Sequence, residues 1–145
     1  MKIINGVGLL QFDGLGRMFL LEELIAKPHI NKLAGMLSCP LETMKPDESK
    51  DRALERMIFE EIGVEITPTP KIFDTLLIPL SEEYSVLLSM YVGKSDESFI
   101  SYPNDTDVKH FGWMYPVNVL RLAPQKRRIE VSPILDAYFK FVNGV

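Results

Sequence analysis

A mixed β-sheet lying between helices, the α/β class, is the fold this sequence predicts, and three features carry that expectation. Strand-compatible apolar stretches come in pairs, one pair near the start of the chain and one past its middle. Between the pairs, residues 49–62 repeat apolar side chains at helical spacing, and a second helical stripe closes the chain at 134–142. A helix with one apolar stripe must bury it, so hairpins on either side of a central helix imply a sheet covered on both faces. The chain has 145 residues, a length that suits a single domain spanning 1–145.

Residues 3–11 and 18–21 are apolar and flank Phe12-Asp13-Gly14-Leu15-Gly16-Arg17, where Asp-Gly and a second glycine supply turn geometry for a β-hairpin. Residues 25–43 show no clean period and contain the breakers Lys27-Pro28-His29 and Ala34-Gly35, so they read as irregular chain with one short strand near 36–39. The helix at 49–62 has marked ends: Ser49 as N-cap, Asp51 at the positive end of the dipole and Gly63 just past the last turn. Leu54, Ile58 and Ile62 recur every fourth residue, with Ala53 and Met57 alongside, and form its apolar stripe.

Thr67-Pro68-Thr69-Pro70 is a stiff extended connection, followed by strands at 71–79 and 84–92 joined through Leu80-Ser81-Glu82-Glu83. Residues 93–107 are polar and turn-rich, 108–114 form a further strand, and 116–122 hold a short helical turn. Ser132-Pro133 places a capping hydroxyl before a proline, opening a helix whose stripe is Ile134, Leu135, Tyr138, Phe139 and Val142 and which stops at Gly144.

Composition narrows the function classes. Hydrophobic residues make up 46% and charged residues 25%, which excludes a disordered or collagen-like chain. The net charge of −4 argues against a broad surface for nucleic acid polymer, while small anionic ligands remain accessible through a metal. Cys39 is the one cysteine, so no internal disulfide forms, and residues 1–6 lack the apolar core of a signal peptide; a cytoplasmic protein is expected. No apolar run approaches the roughly 20 residues that cross a bilayer, so no membrane association is expected.

The stretch from 40 to 64 carries the chemistry. Glu48 is followed by seven residues and then Arg56, after which Ile58, Glu60, Glu61, Gly63 and Val64 follow at short fixed intervals. At about 100° per residue, positions 57, 60 and 61 span an arc of about 100°, so their side chains are expected to converge beside the helix. Adjacent carboxylates at 60 and 61 repel, which favours a divalent cation that prefers hard oxygen ligands, Mg²⁺ above all. Arg56, four residues before Glu60 and within reach of Glu48 once the loop folds back, would tie loop to helix.

This pattern resembles the Nudix box, G-x5-E-x7-R-E-U-x-E-E-x-G-U with U a bulky aliphatic residue, over residues 42–64. Two positions depart from it: Glu42 stands where the motif has its first glycine, and Met57 where it has the glutamate after the arginine. Upstream, 33–40 looks like the family's lead-in strand, with Leu41-Glu42 in place of a glycine pair.

The resemblance implies a Nudix-like α/β/α sandwich and a pyrophosphohydrolase that cleaves a nucleoside diphosphate linked to another moiety. Its expected mechanism is water attack on phosphorus assisted by Mg²⁺, or Mn²⁺, held by Glu60 and Glu61, with Arg56 and Glu48 in structural support. The ligand implied is a small nucleotide-like diphosphate, and a homodimer is the assembly that the resemblance suggests. In many members an acidic residue six before a tryptophan completes the metal site; Asp107 stands at that offset from Trp113. Glu42 is a further candidate metal ligand, standing in for the missing carboxylate, and Met57→Glu is expected to raise metal-dependent activity.

The rival reading is a non-catalytic Nudix-fold module that binds a nucleotide or metabolite, favoured by Met57, Leu41 and Glu42. His29, His110 and Cys39 read as packing or surface residues, and Lys126-Arg127-Arg128 as a solvated loop, with a phosphate role as the alternative.

Overall fold

The computed structural model describes residues 1–144. In order, the elements are β1 (Lys2–Phe12), β2 (Met18–Glu23), β3 (Leu37–Ser38), β4 (Leu41–Thr43), α1 (Lys50–Met57), β5 (Lys71–Pro79), β6 (Tyr84–Lys94), β7 (Val108–Met114), α2 (Pro116–Arg121) and α3 (Val131–Asn143). A π-helical turn, Ile58–Ile62, continues α1 directly. The strands form one seven-stranded mixed sheet, with β1 and β6 parallel along their whole length from Lys2↔Tyr84 to Phe12↔Lys94. β5 pairs antiparallel with β6 and β7 antiparallel with β2.

The first hairpin forms but does not stay closed. β1 and β2 pair at Phe12↔Met18 and then part, and the chain of β3, Pro40 and β4 fills the opening. β3 pairs with β2 through Leu21↔Ser38, and β4 pairs with β1 through Gly6↔Thr43 and Gly8↔Leu41. A Cβ on Gly8 would meet the tips of the Leu41 and Met90 side chains at 2.6 and 2.5 Å, so both would have to shift to admit one. β4 falls in the stretch expected to be irregular, because three residues carry too little alternation to register as a strand.

Strand alternation sends apolar side chains to two cores, one on each face of the sheet. Leu10 and Phe12 of β1, Met18 and Leu20 of β2, and Val86, Leu88 and Met90 of β6 join Ile134 and Leu135 of α3. The residues between them, Val7, Leu9, Phe19 and Leu21, join Ala53, Leu54, Met57 and Ile62 on the other face. Each fully buried Leu or Ile contributes roughly 1.5–3 kcal/mol of transfer free energy, which holds both helices to the sheet.

The central helix keeps its expected ends. Ser49 accepts the Arg52 N–H at 3.2 Å, and Gly63 terminates it at φ 73°. The last turn is widened: Gly63 N–H donates to the Ile58 carbonyl, five residues back, at 2.8 Å. A Cβ at residue 63 would overlap the Tyr102 carbonyl oxygen, so glycine here also admits the 95–107 loop against the helix end. The C-terminal helix departs from expectation. It starts at Val131, with Glu130 at the cap position and no side-chain cap, so Ser132 lies inside the first turn. The Glu130 carboxylate is drawn away by Arg128, whose Nη2 donates to it at 2.7 Å. No helix among the described residues is long and apolar enough to cross a membrane.

Candidate functional site

Where β1 and β2 part, a cavity of about 100 Å³ opens at the sheet end. Ile4 and Gly6 of β1, Glu42 and Thr43 of β4, Glu61 of the π turn, and Asp105 and Asp107 before β7 all line it. Lys27 and Lys32 from the chain after β2, and Arg128 and Glu130 before α3, line it as well.

Glu61 is the most distinctive of these residues. Its side chain is 4% exposed, and its Oε2 has no hydrogen-bond partner. Burial pushes its carboxyl well above the usual carboxylate range, helped by the charges of Glu42 and Glu23 and opposed by Arg128. An unpartnered buried carboxylate oxygen is costly to maintain, which marks a site with a use for it. Glu42 is half-buried, and its carboxyl is raised chiefly by burial, with the Arg56 guanidinium acting against that shift.

Arg56 ties the loop to the helix. Its Nε donates to Glu48 Oε2 at 2.8 Å, its Nη2 to Glu48 Oε1 at 3.0 Å and to the Thr43 carbonyl at 2.8 Å, and its Nη1 to Glu60 Oε2 at 3.2 Å. Nη1 also lies 3.7 Å from Glu42 Oε1. The bidentate bond holds the Glu48 carboxyl down to about 2. A group with a depressed folded pKa contributes stability above its ordinary value of 4.5 and loses it as pH falls toward 2. Arg56→Met is therefore expected to lower the urea midpoint near pH 7, from the lost charged hydrogen bonds. It should also remove the wild type's extra loss of stability between pH 4.5 and 2; an unchanged acid limb would show that the pair does not hold the loop.

The structure brings together some of the residues singled out in the sequence and separates others. Glu42, Glu61 and Asp107 line the one cavity, while Glu60 turns its side chain to Arg56 and its carbonyl to the N–H groups of Asn104 and Asp105, each at 2.8 Å. Met57 does not converge with them: it is 0% exposed, inside the core under α1. Its side chain is taken up by Val7, Leu9, Phe19, Leu54 and Ile62, the apolar cluster between α1 and the sheet. His29 and His110 lie apart from the cavity; His110 accepts the Ser101 N–H and packs near Phe19.

Several residues at the cavity, and Glu23 beside it, stand outside the spacing that singles out 48–64 in the sequence. Arg128, expected on a solvated loop, is 7% exposed, and its Nη1 donates to Glu23 Oε1 at 3.2 Å. Lys32 Nζ lies 3.1 Å from Glu23 Oε2, so Glu23, Lys32, Arg128 and Glu130 form one buried ionic chain beside Glu61. Glu23 was visible only as an acid ending an apolar strand, and Asp105 only as one of several loop acids.

Carboxylate oxygens are hard donors of the kind Mg²⁺ and Mn²⁺ prefer, and Glu61 supplies one with no competing partner. Among the described residues no three acids stand together as a complete coordination set. Mg²⁺ commonly takes one or two carboxylates and fills its remaining positions with water and phosphate oxygens, so the donors present fit it.

Solved structures share this architecture over nearly the whole chain. A Nudix hydrolase from Nitrosomonas europaea matches at TM-score 0.74 and 19% identity, over 95% of this chain and 89% of that one. This chain has the Nudix fold. The Nudix domain of Shewanella oneidensis NrtR, solved with ADP ribose, matches at TM-score 0.76 and 12% identity, over 98% of this chain and 90% of that one. A C. elegans Ap4A hydrolase, solved as a binary complex, matches at 0.64 and 16%, over 98% and 99%. No family model matches the sequence, and no curated protein matches it. The departures at Glu42 and Met57 thus sit on a Nudix fold whose remaining box positions are in register.

Proposed function

We propose that the chain is a divalent-metal-dependent pyrophosphohydrolase acting on a small nucleotide-like diphosphate. The buried, unpartnered Glu61 carboxylate at the cavity where β1 and β2 part is the observation that carries this reading. Glu61, with Glu42, Asp107 or Glu60 as a neighbouring ligand, would hold Mg²⁺ or Mn²⁺. When bound, the cation supplies Lewis-acid polarisation of a phosphoryl group and a water of lowered pKa. Arg56, locked to Glu48 and Thr43, keeps the 42–48 loop beside the cavity and Glu42 at its wall. Structures that share the fold were solved with ADP ribose or are named as Ap4A hydrolases, which supports a ligand with phosphates joined to a nucleoside.

A second reading, a Nudix-fold module that binds without turnover, is favoured by the want of three converging acids among the described residues. A panel of ADP-ribose, Ap4A and nucleoside triphosphates with Mn²⁺, followed by chromatography of the products, decides between them. Mn²⁺-dependent cleavage of a diphosphate linkage is the expected result. Tight binding with no product would establish the module, and neither binding nor cleavage would overturn both readings.

A further inference from the structure

Lys27 and Lys32 face each other across a short turn. The Lys27 N–H donates to the Lys32 carbonyl at 2.7 Å and the Lys32 N–H to the Lys27 carbonyl at 3.2 Å. Residues paired directly across an antiparallel bridge project their side chains to the same side, and both lysines line the cavity. Arg128 lines it too. Arg128 is 7% exposed, its Nη1 and Nη2 are taken by Glu23 and Glu130, and its Nε has no partner. Lys32 and Arg128 are balanced by Glu23 and Glu130, whereas Lys27 has no carboxylate within ion-pair distance among the described residues.

The charges are sorted by element with one exception. The cations come from the segments after β2 and before α3, and the acids Glu42, Glu61, Asp105 and Asp107 come from β4, the π turn and the loop before β7, while Glu130, the exception, stands before α3 and is bound to Arg128. A cavity that carries oxygen donors from one set of elements and N–H donors from another complements a metal-bound phosphate, whose cation and oxygens need opposite partners. We propose that Lys27, Lys32 and Arg128 form the phosphate-recognition side of the cavity, with Arg128 Nε–H and the two ammonium groups receiving the non-bridging oxygens of a diphosphate. This assignment rests on the diphosphate reading above and names the residues that would make it selective.

The test uses inorganic pyrophosphate and Mn²⁺ as probes, by calorimetry on the full chain. Lys27 is exposed, so Lys27→Glu should fold; reversing one charge near the ligand is expected to weaken pyrophosphate binding about tenfold or more. Mn²⁺ alone should bind this variant no more weakly than wild type. Arg128→Lys keeps the charge but removes the Nε–H together with the two-armed grip on Glu23 and Glu130, so its thermal stability is measured alongside; at unchanged stability it should weaken pyrophosphate without weakening Mn²⁺. Equal pyrophosphate affinity in wild type and Lys27→Glu, or none in a wild type that binds Mn²⁺, overturns this inference and leaves the metal reading standing. Pyrophosphate binding that is sensitive to Lys27→Glu in a chain that binds no Mn²⁺ keeps this inference and overturns the metal reading.

Discussion

Glu61→Gln is expected to weaken Mn²⁺ binding by at least about 10–100-fold and to abolish diphosphate cleavage, since even outer partners of metal ligands carry effects of that size. The same substitution has a second signature, free of any ligand. Burial raises the Glu61 carboxyl, so the folded chain holds that proton to higher pH than the unfolded chain does. Between the ordinary value of 4.5 and the raised folded value, the native state binds more protons, and stability falls as pH rises. In chelator, wild type should therefore lose thermal stability relative to Glu61→Gln as the pH climbs above 4.5. Added Mn²⁺ should close that gap for wild type only, because a bound cation replaces the proton as the counter-charge. Identical Mn²⁺ affinities, or a stability difference that does not change with pH, would remove Glu61 from the centre of the site.

Met57→Glu is expected to destabilise the fold by about 3–5 kcal/mol and to add no metal-dependent activity, the cost being that of an uncompensated buried charge. This reverses the expectation drawn from the motif alone. Met57 is 0% exposed among Val7, Leu9, Phe19, Leu54 and Ile62, and it does not line the cavity that Glu61 enters. A carboxylate there would have only apolar neighbours from that cluster and would have to take up a proton or push out of the core. Met57→Leu, which keeps volume and polarity, should cost under about 1.5 kcal/mol, so urea titrations of the two variants separate charge from shape. Full stability in Met57→Glu, together with a gain in Mn²⁺-dependent turnover, would mean that the side chain reaches the cavity after all.

Much of the fold was legible because it rests on local signals. The strands at 71–79, 84–92 and 108–114, Ser49 as cap and Gly63 as terminator all follow from alternation, helical period and turn chemistry, and the structure reproduces them. Elements that depend on distant partners were not legible. β4 exists as a strand only through its pairing with β1 at Gly6↔Thr43 and Gly8↔Leu41, and Ser132 does not cap α3 because the helix begins before it, at Val131.

The candidate site divides in the same way. Spacing along one segment named Glu48, Arg56, Glu60 and Glu61, and the Arg56 bonds to Glu48 and Glu60 run between residues of that segment. Glu23, Lys27 and Lys32 come from one stretch far in the chain from Asp105 and Arg128, and no period or spacing relates them to the box. Sequence by itself determined the sandwich, the central helix with its capped ends, and the arginine that fastens the box loop, because each depends on residues within a few turns of one another. The tertiary structure alone decided which acids share a cavity, that Met57 belongs to the core, and that three cations line the same cavity as Glu61. Those outcomes follow from where β1 and β2 part and from which segments pack beside that opening, which are properties of packing between segments and leave no trace in local order.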